Sequence, residues 1–114
     1  MSPKLSTFPR VLNRRDPKDA SGYIYVFSIG HDNLYKVGKS VDWRRRLKAL
    51  RAANPLLQVV LNVQVKDRNA AELAAHNVIR LHRVEREIFR LDESDIERIR
   101  DVLVRYVEWN YLIG

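Results

Sequence analysis

Residues 22–38 are written as a β-hairpin. Gly22-Tyr-Ile-Tyr-Val-Phe-Ser-Ile29 is β-branched and aromatic, and Gly30-His-Asp-Asn33 is a cluster of turn formers. Leu34-Tyr-Lys-Val-Gly38 supplies a second short strand. Side chains alternate between the faces of a strand. Tyr23, Tyr25 and Phe27 therefore point one way, and Ile24, Val26 and Ser28 the other. If Val37 joins Ile24 and Val26 in the core, Lys36 falls on the face of Tyr25. A phenol and an ammonium then share that face, either as a chemical pair or as two amphipathic surface residues.

The rest of the chain extends the hairpin into a small α/β (α+β) unit. Asp42 is placed to cap a helix from Trp43 to about Ala53, which stops before Asn54-Pro55. Leu56 to Val65 alternates Val59, Leu61, Val63 and Val65 against Gln58, Val60, Asn62 and Gln64, a third strand with one wetter face. Asn69 is expected to cap a second helix, Ala70 to about His82. Arg86-Glu-Ile-Phe-Arg-Leu91 reads as a turn with a short extended piece. Asp92 and Asp95 open a third helix in a capping-box-like pattern, with Ile96, Ile99, Leu103 and Val107 at helical spacing. The order is ββαβα plus a C-terminal helix, in one domain over residues 22–114. A basic, flexible arm over residues 1–21, containing Pro3, Pro9 and Pro17, precedes it.

Composition removes several function classes. A chain of 114 residues suits one domain, and 46% hydrophobic with 31% charged residues is a globular balance. The absence of cysteine excludes disulfides, thiol nucleophiles and Cys-based zinc sites. No apolar run approaches the ~18 residues a membrane span requires. The opening residues lack the apolar centre of a secretory signal, so an intracellular setting, cytoplasmic or nuclear, is expected. The formal net charge is +7, and it is unevenly spread. Residues 22–56 hold seven basic and two acidic groups, whereas residues 92–114 hold three and six. A polyanion, nucleic acid first among them, is the natural partner; a basic surface kept for solubility is the plain alternative.

Within the helices a few charged residues stand apart. At 100° per residue, Trp43, Leu47 and Leu50 form an apolar stripe, with Arg45 nearly opposite it. Arg46 lies only about 60° from the Trp43 direction, where a guanidinium stays charged and can grip a phosphate with paired hydrogen bonds. Arg44, Arg45, Lys48 and Arg51 make a solvated or phosphate-tracking face. The second helix is apolar nearly all round, which suggests burial on several sides, and Glu72 is the sole acid between Asp67 and Glu85. A carboxylate withdrawn from water requires a cation or a metal, and Mg²⁺ suits a single carboxylate because it keeps most of its water. His76 lies one turn on, so a plain Glu–His pair on a wet face is the other reading. Phosphate-binding glycine loops and the hydrolase nucleophile elbow are absent.

Tyr23-Ile-Tyr25-Val, the hairpin, Tyr35-Lys-Val-Gly38-Lys-Ser and Asp42-Trp-Arg-Arg-Arg46-Leu together resemble the GIY-YIG nuclease superfamily. The nearest likeness is to its phage-type and meiotically up-regulated branch, with a Tyr-Lys-x-Gly second motif. Ala71-Glu72-x-x-x-His76 and Arg86-Glu87-Ile-Phe89 extend the likeness, which spans roughly residues 22–91. It implies a three-stranded antiparallel sheet flanked by helices. It also implies an endonuclease that hydrolyses DNA phosphodiester bonds with Mg²⁺ or Mn²⁺. Tyr25 would help activate water, Arg46 would stabilise charge on the phosphate, and Glu72 would hold the metal. Lys36 replaces the Tyr that usually opens the second motif, with Tyr35 displaced beside it, and Tyr23 replaces the usual Gly.

The expected catalytic set is Tyr25, Lys36, Arg46 and Glu72, with Tyr35 and His76 as accessories. The expected nucleic-acid contacts are Lys36, Lys39, Arg44, Arg45 and Arg51. A double-strand break would require a homodimer or two visits. The rival readings are a non-catalytic nucleic-acid-binding module and a protein-interaction domain that docks a basic partner on the acidic helix around Asp92–Glu108.

Overall fold

The computed structural model describes residues 19–107. Expectations for most of the arm, residues 1–18, and for residues 108–114 lie outside them. In chain order the elements are β1 (Gly22–Ser28), β2 (Leu34–Ser40), α1 (Trp43–Arg51), β3 (Gln58–Val65) and α2 (Arg68–Val78). A 3₁₀ turn (Arg80–His82) then leads to β4 (Arg83–Glu85), β5 (Ile88–Arg90), α3 (Glu93–Leu103) and a last 3₁₀ turn (Val104–Tyr106). The class is α+β, as expected.

The sheet has five antiparallel strands in the order β3-β1-β2-β5-β4, not three. Of the two extra strands, β5 falls in the segment read as a turn with a short extended piece, and β4 lies just before it. They are three residues each, too short to show an alternation, and their turn is made by Arg86 at φ 48°, a conformation more typical of Gly or Asn. β5 pairs with β2 only from Leu34 to Lys36, so the second half of β2, from Val37 on, has no strand on that side.

Register divides the hairpin by face. Tyr25 opposes Gly38 and Phe27 opposes Lys36, while Ile24 opposes Lys39, Val26 opposes Val37 and Ser28 opposes Tyr35. Paired residues share a face. On one face Tyr25, Phe27, Leu47 and Leu57 form a small core, with Trp43 and Leu50 packed on it, so α1 covers this side. On the other, Ile24, Val26, Val37 and Val65 meet Ala71, Ala75 and Ile79 of the α2 region and Ile96, Ile99 and Leu103 of α3. Burying each of the larger aliphatic chains contributes about 1.5–3 kcal/mol, so this second core is the main source of stability.

Each helix starts on an aspartate cap. Asp42 accepts from the Arg45 N–H, and Asp92 with Asp95 completes a reciprocal capping box, both as anticipated. α2 corrects its expected start: Asp67, not Asn69, accepts from the Ala70 N–H. Asn69 instead accepts a bond from Lys39. The helix also ends earlier, at Val78, and it is not buried all round, because Leu73 is 73% exposed and Leu81 beyond it 86%. Its buried side is the narrow stripe of Ala71 and Ala75, which lets the helix lie close to the sheet. Arg68 ties residues 19–21 down by donating to the carbonyls of Asp19 and Ser21. Among the described residues, no helix is long and apolar enough to cross a membrane.

Candidate active site

The site is built around a glycine. Gly38 faces Tyr25 across the hairpin, and a Cβ on Gly38 would stand 2.5 Å from the Tyr25 hydroxyl and 2.9 Å from Glu87 Oε1. The missing side chain is what admits both groups to one spot. Tyr25 is 1% exposed and stacks on Phe27 with ring centroids 4.1 Å apart, so its phenol is held rigidly. Lys36, on the same face, donates to Glu87 Oε1 at 3.0 Å. Glu87 is fixed from its main chain as well, because its carbonyl accepts the Val37 N–H at 3.0 Å.

Burial pushes the Tyr25 hydroxyl up to about 12, reinforced by the negative charge of Glu87 and, less strongly, of Glu72; Arg46 opposes the rise. All three charges therefore lie within electrostatic reach of the phenol. Arg46 approaches from α1 and is exposed. Glu72 comes from the opposite layer, α2, at the half of β2 that β5 leaves uncovered. Its Oε1 lies 3.4 Å from the Lys39 ammonium, and its Oε2 is buried without a hydrogen-bond partner. Tyr25 thus has Arg46 and Glu72 within electrostatic reach, and Lys36 joins the group through Glu87.

The other expected residues are placed differently. Tyr35 packs against the α2/α3 core, on the face away from Tyr25, so it is no accessory to this site. His76 bonds the Val37 carbonyl at 2.7 Å and lies against the Phe89 ring. It satisfies a β2 carbonyl that no strand reaches, which is a structural role. Lys39 is engaged with Asn69 and Glu72. The Arg51 Nε donates to the Leu57 carbonyl and so anchors the loop after α1. Arg44 lies over the Trp43 ring, 4.9 Å from its centroid, and Arg45 is exposed.

Glu87 is the residue that sequence reasoning passed over. It appeared only as part of a motif, and its position rests on the Arg86 turn, whose backbone conformation leaves no mark in the residue types.

The fit to a divalent cation is specific but narrow. Among the described residues no three His, Cys, Asp or Glu cluster as a metal cage. The orphaned Glu72 Oε2 is one unsatisfied carboxylate oxygen, a donor for a single hard cation and too little for a transition metal held by protein ligands alone.

The family model of the T5orf172 domain matches residues 22–104. The expected assignment to the GIY-YIG superfamily is corrected by this match. The motifs behind that resemblance are short, and Tyr23 and Lys36 depart from the pattern. No curated protein and no solved structure matched the chain.

Proposed function

The chain belongs to the T5orf172 domain family, and on this fold we propose that it is a divalent-metal-dependent endonuclease hydrolysing DNA phosphodiester bonds. The observation that carries the reading is that Tyr25 and Glu87 meet beside Gly38, with Lys36 bonded to Glu87 and with Arg46 and Glu72 within electrostatic reach of the phenol. A net charge of +7 supplies attraction for a polyanion.

With its hydroxyl pushed up to about 12, Tyr25 stays a phenol at neutral pH and acts as a hydrogen-bond donor that orients water or a phosphate oxygen. Arg46 meets the charge that develops on the phosphate in the transition state, and Lys36 holds a non-bridging oxygen. Glu72 would hold Mg²⁺ or Mn²⁺, which supplies Lewis-acid stabilisation of the phosphate when bound. Arg44 and Arg45 position the flanking backbone without reading sequence.

One observation favours a second reading, a module that binds nucleic acid without cutting it. Both acids of the site face lysines, Glu72 with Lys39 and Glu87 with Lys36, so the cluster is internally neutralised without metal. A third reading, docking of a basic partner on α3, has less support: Asp92 caps the helix, and buried Asp95 faces Arg98 and His82.

Supercoiled plasmid incubated with Mg²⁺, Mn²⁺ or EDTA separates the readings. A nuclease nicks with metal and stops in EDTA. Glu72→Gln should abolish nicking while leaving metal-free DNA affinity equal or higher, because a negative charge is removed. Binding with no nicking under either metal identifies the module, and a folded Glu72→Gln protein that cuts at the parent rate refutes the metal assignment.

A further inference from the structure

The site holds two carboxylates, and only one is needed for a cation. Building on the nuclease reading, we propose that Glu87 is the general base that takes the proton from the attacking water. Four observations converge on it. The Tyr25 phenol, raised to about 12, is ionised in only about one molecule in 10⁵ at pH 7 and cannot serve as the base. Glu72 already faces Lys39 and, on the nuclease reading, is the carboxylate that would hold the cation. Glu87 keeps 38% of its side chain exposed, so water reaches it. Its Oε1 also shares the space beside Gly38 with the Tyr25 hydroxyl, and both lie within 3 Å of the same point.

The surrounding groups suit this role. Lys36 holds the carboxylate at 3.0 Å from β2, and the Val37 N–H holds its main chain, which together fix the base before substrate arrives. Arg46 from α1 and Glu72 from α2 are the other charged groups within electrostatic reach of the phenol that Glu87 faces. In the step itself, the water oxygen forms a bond to phosphorus as the bond from phosphorus to one sugar oxygen breaks. The water proton moves to the Glu87 carboxylate, and the leaving oxygen takes a proton from solvent. Glu87 then returns its proton to solvent. One water is consumed, and a phosphomonoester and a sugar hydroxyl are released.

The test uses the full chain on supercoiled plasmid with Mg²⁺ or Mn²⁺, and three variants. Glu87→Gln should lower the cleavage rate of bound plasmid by about 100-fold or more, with DNA affinity changed by less than about threefold. Glu87→Ala should regain cleavage with added formate, saturably, because a small carboxylate can occupy the vacated place. Lys36→Gln keeps the base and should lose less of the cleavage rate than Glu87→Gln. If Glu87 serves only to hold Lys36, then Glu87→Gln and Lys36→Gln lose equally and formate restores nothing; that result overturns the assignment. A parent that cuts, beside Glu87→Gln cutting at a similar rate, overturns it alone. A parent that leaves plasmid intact with both metals overturns it together with the nuclease reading.

Discussion

Replacing Gly38 by alanine tests the packing on which the site depends. The added methyl carbon would meet the Tyr25 hydroxyl at 2.5 Å, its ring Cζ at 2.7 Å and Glu87 Oε1 at 2.9 Å. Glu87 can swing away, but Tyr25 is buried and stacked on Phe27, so its ring has nowhere to recoil. Overpacking of this kind costs about 1–3 kcal/mol. Glycine-to-alanine replacement in a strand also narrows the unfolded ensemble, which returns about 0.4–1 kcal/mol. The steric term is the larger, so Gly38→Ala should destabilise by about 1–2 kcal/mol and lower Tm by roughly 5–15 °C.

Urea unfolding followed by circular dichroism measures the cost, and a double-mutant cycle assigns it. In a Tyr25→Leu background the same Gly38→Ala change should cost about 1 kcal/mol less, because the obstructing ring end is gone. Equal costs in the two backgrounds, or a stabilised Gly38→Ala protein, would refute the claim that Gly38 exists to admit the phenol.

Three other outcomes are expected. Asp67→Ala should lose about 1 kcal/mol of stability through its helix cap, whereas Asn69→Ala should leave the start of α2 intact; denaturant midpoints of the two compare them directly. Tyr25 binds its proton more tightly folded than unfolded, so its contribution is complete below about pH 10 and fades toward about pH 12; the decline should be about 2–3 kcal/mol steeper in the parent than in Tyr25→Phe, read from unfolding curves across that range. DNA affinity should fall steeply between low and moderate salt, and Arg45→Ala should flatten that slope by about one phosphate contact; an affinity indifferent to salt would remove nucleic acid as the partner.

How much of this was legible depended on whether a feature is periodic. The hairpin face was readable because Ile24, Val26 and Val37 share the parity that a core demands, and Lys36 followed onto the Tyr25 side. Asp42 and the Asp92–Asp95 pair were readable because a cap is a local event within one turn. Three-residue strands have no period to detect, so β4 was missed and β5 was readable only as a short extended piece. Asp67 and Asn69 both lie close to the start of α2, and only backbone dihedrals separate the cap from its neighbour.

The site was harder because it is assembled across layers. Glu72 belongs to a helix packed on one face of the sheet, whereas Tyr25 and Lys36 lie on the other. They can approach one another only because β5 leaves β2 after Lys36 and exposes the end of that strand. The same departure leaves the main chain of Val37 without a strand partner. Glu87 fills the N–H side from its backbone, and His76 fills the carbonyl side from its ring. His76 was read as a chemical accessory because it shares a stripe with Glu72, yet helical spacing cannot tell a ligand from a residue that closes an open ladder. Glu87 was overlooked for the converse reason. Its backbone completes the ladder, and that bond is what delivers its carboxylate to the Tyr25 hydroxyl, so one break in strand pairing both creates the site and positions its second acid.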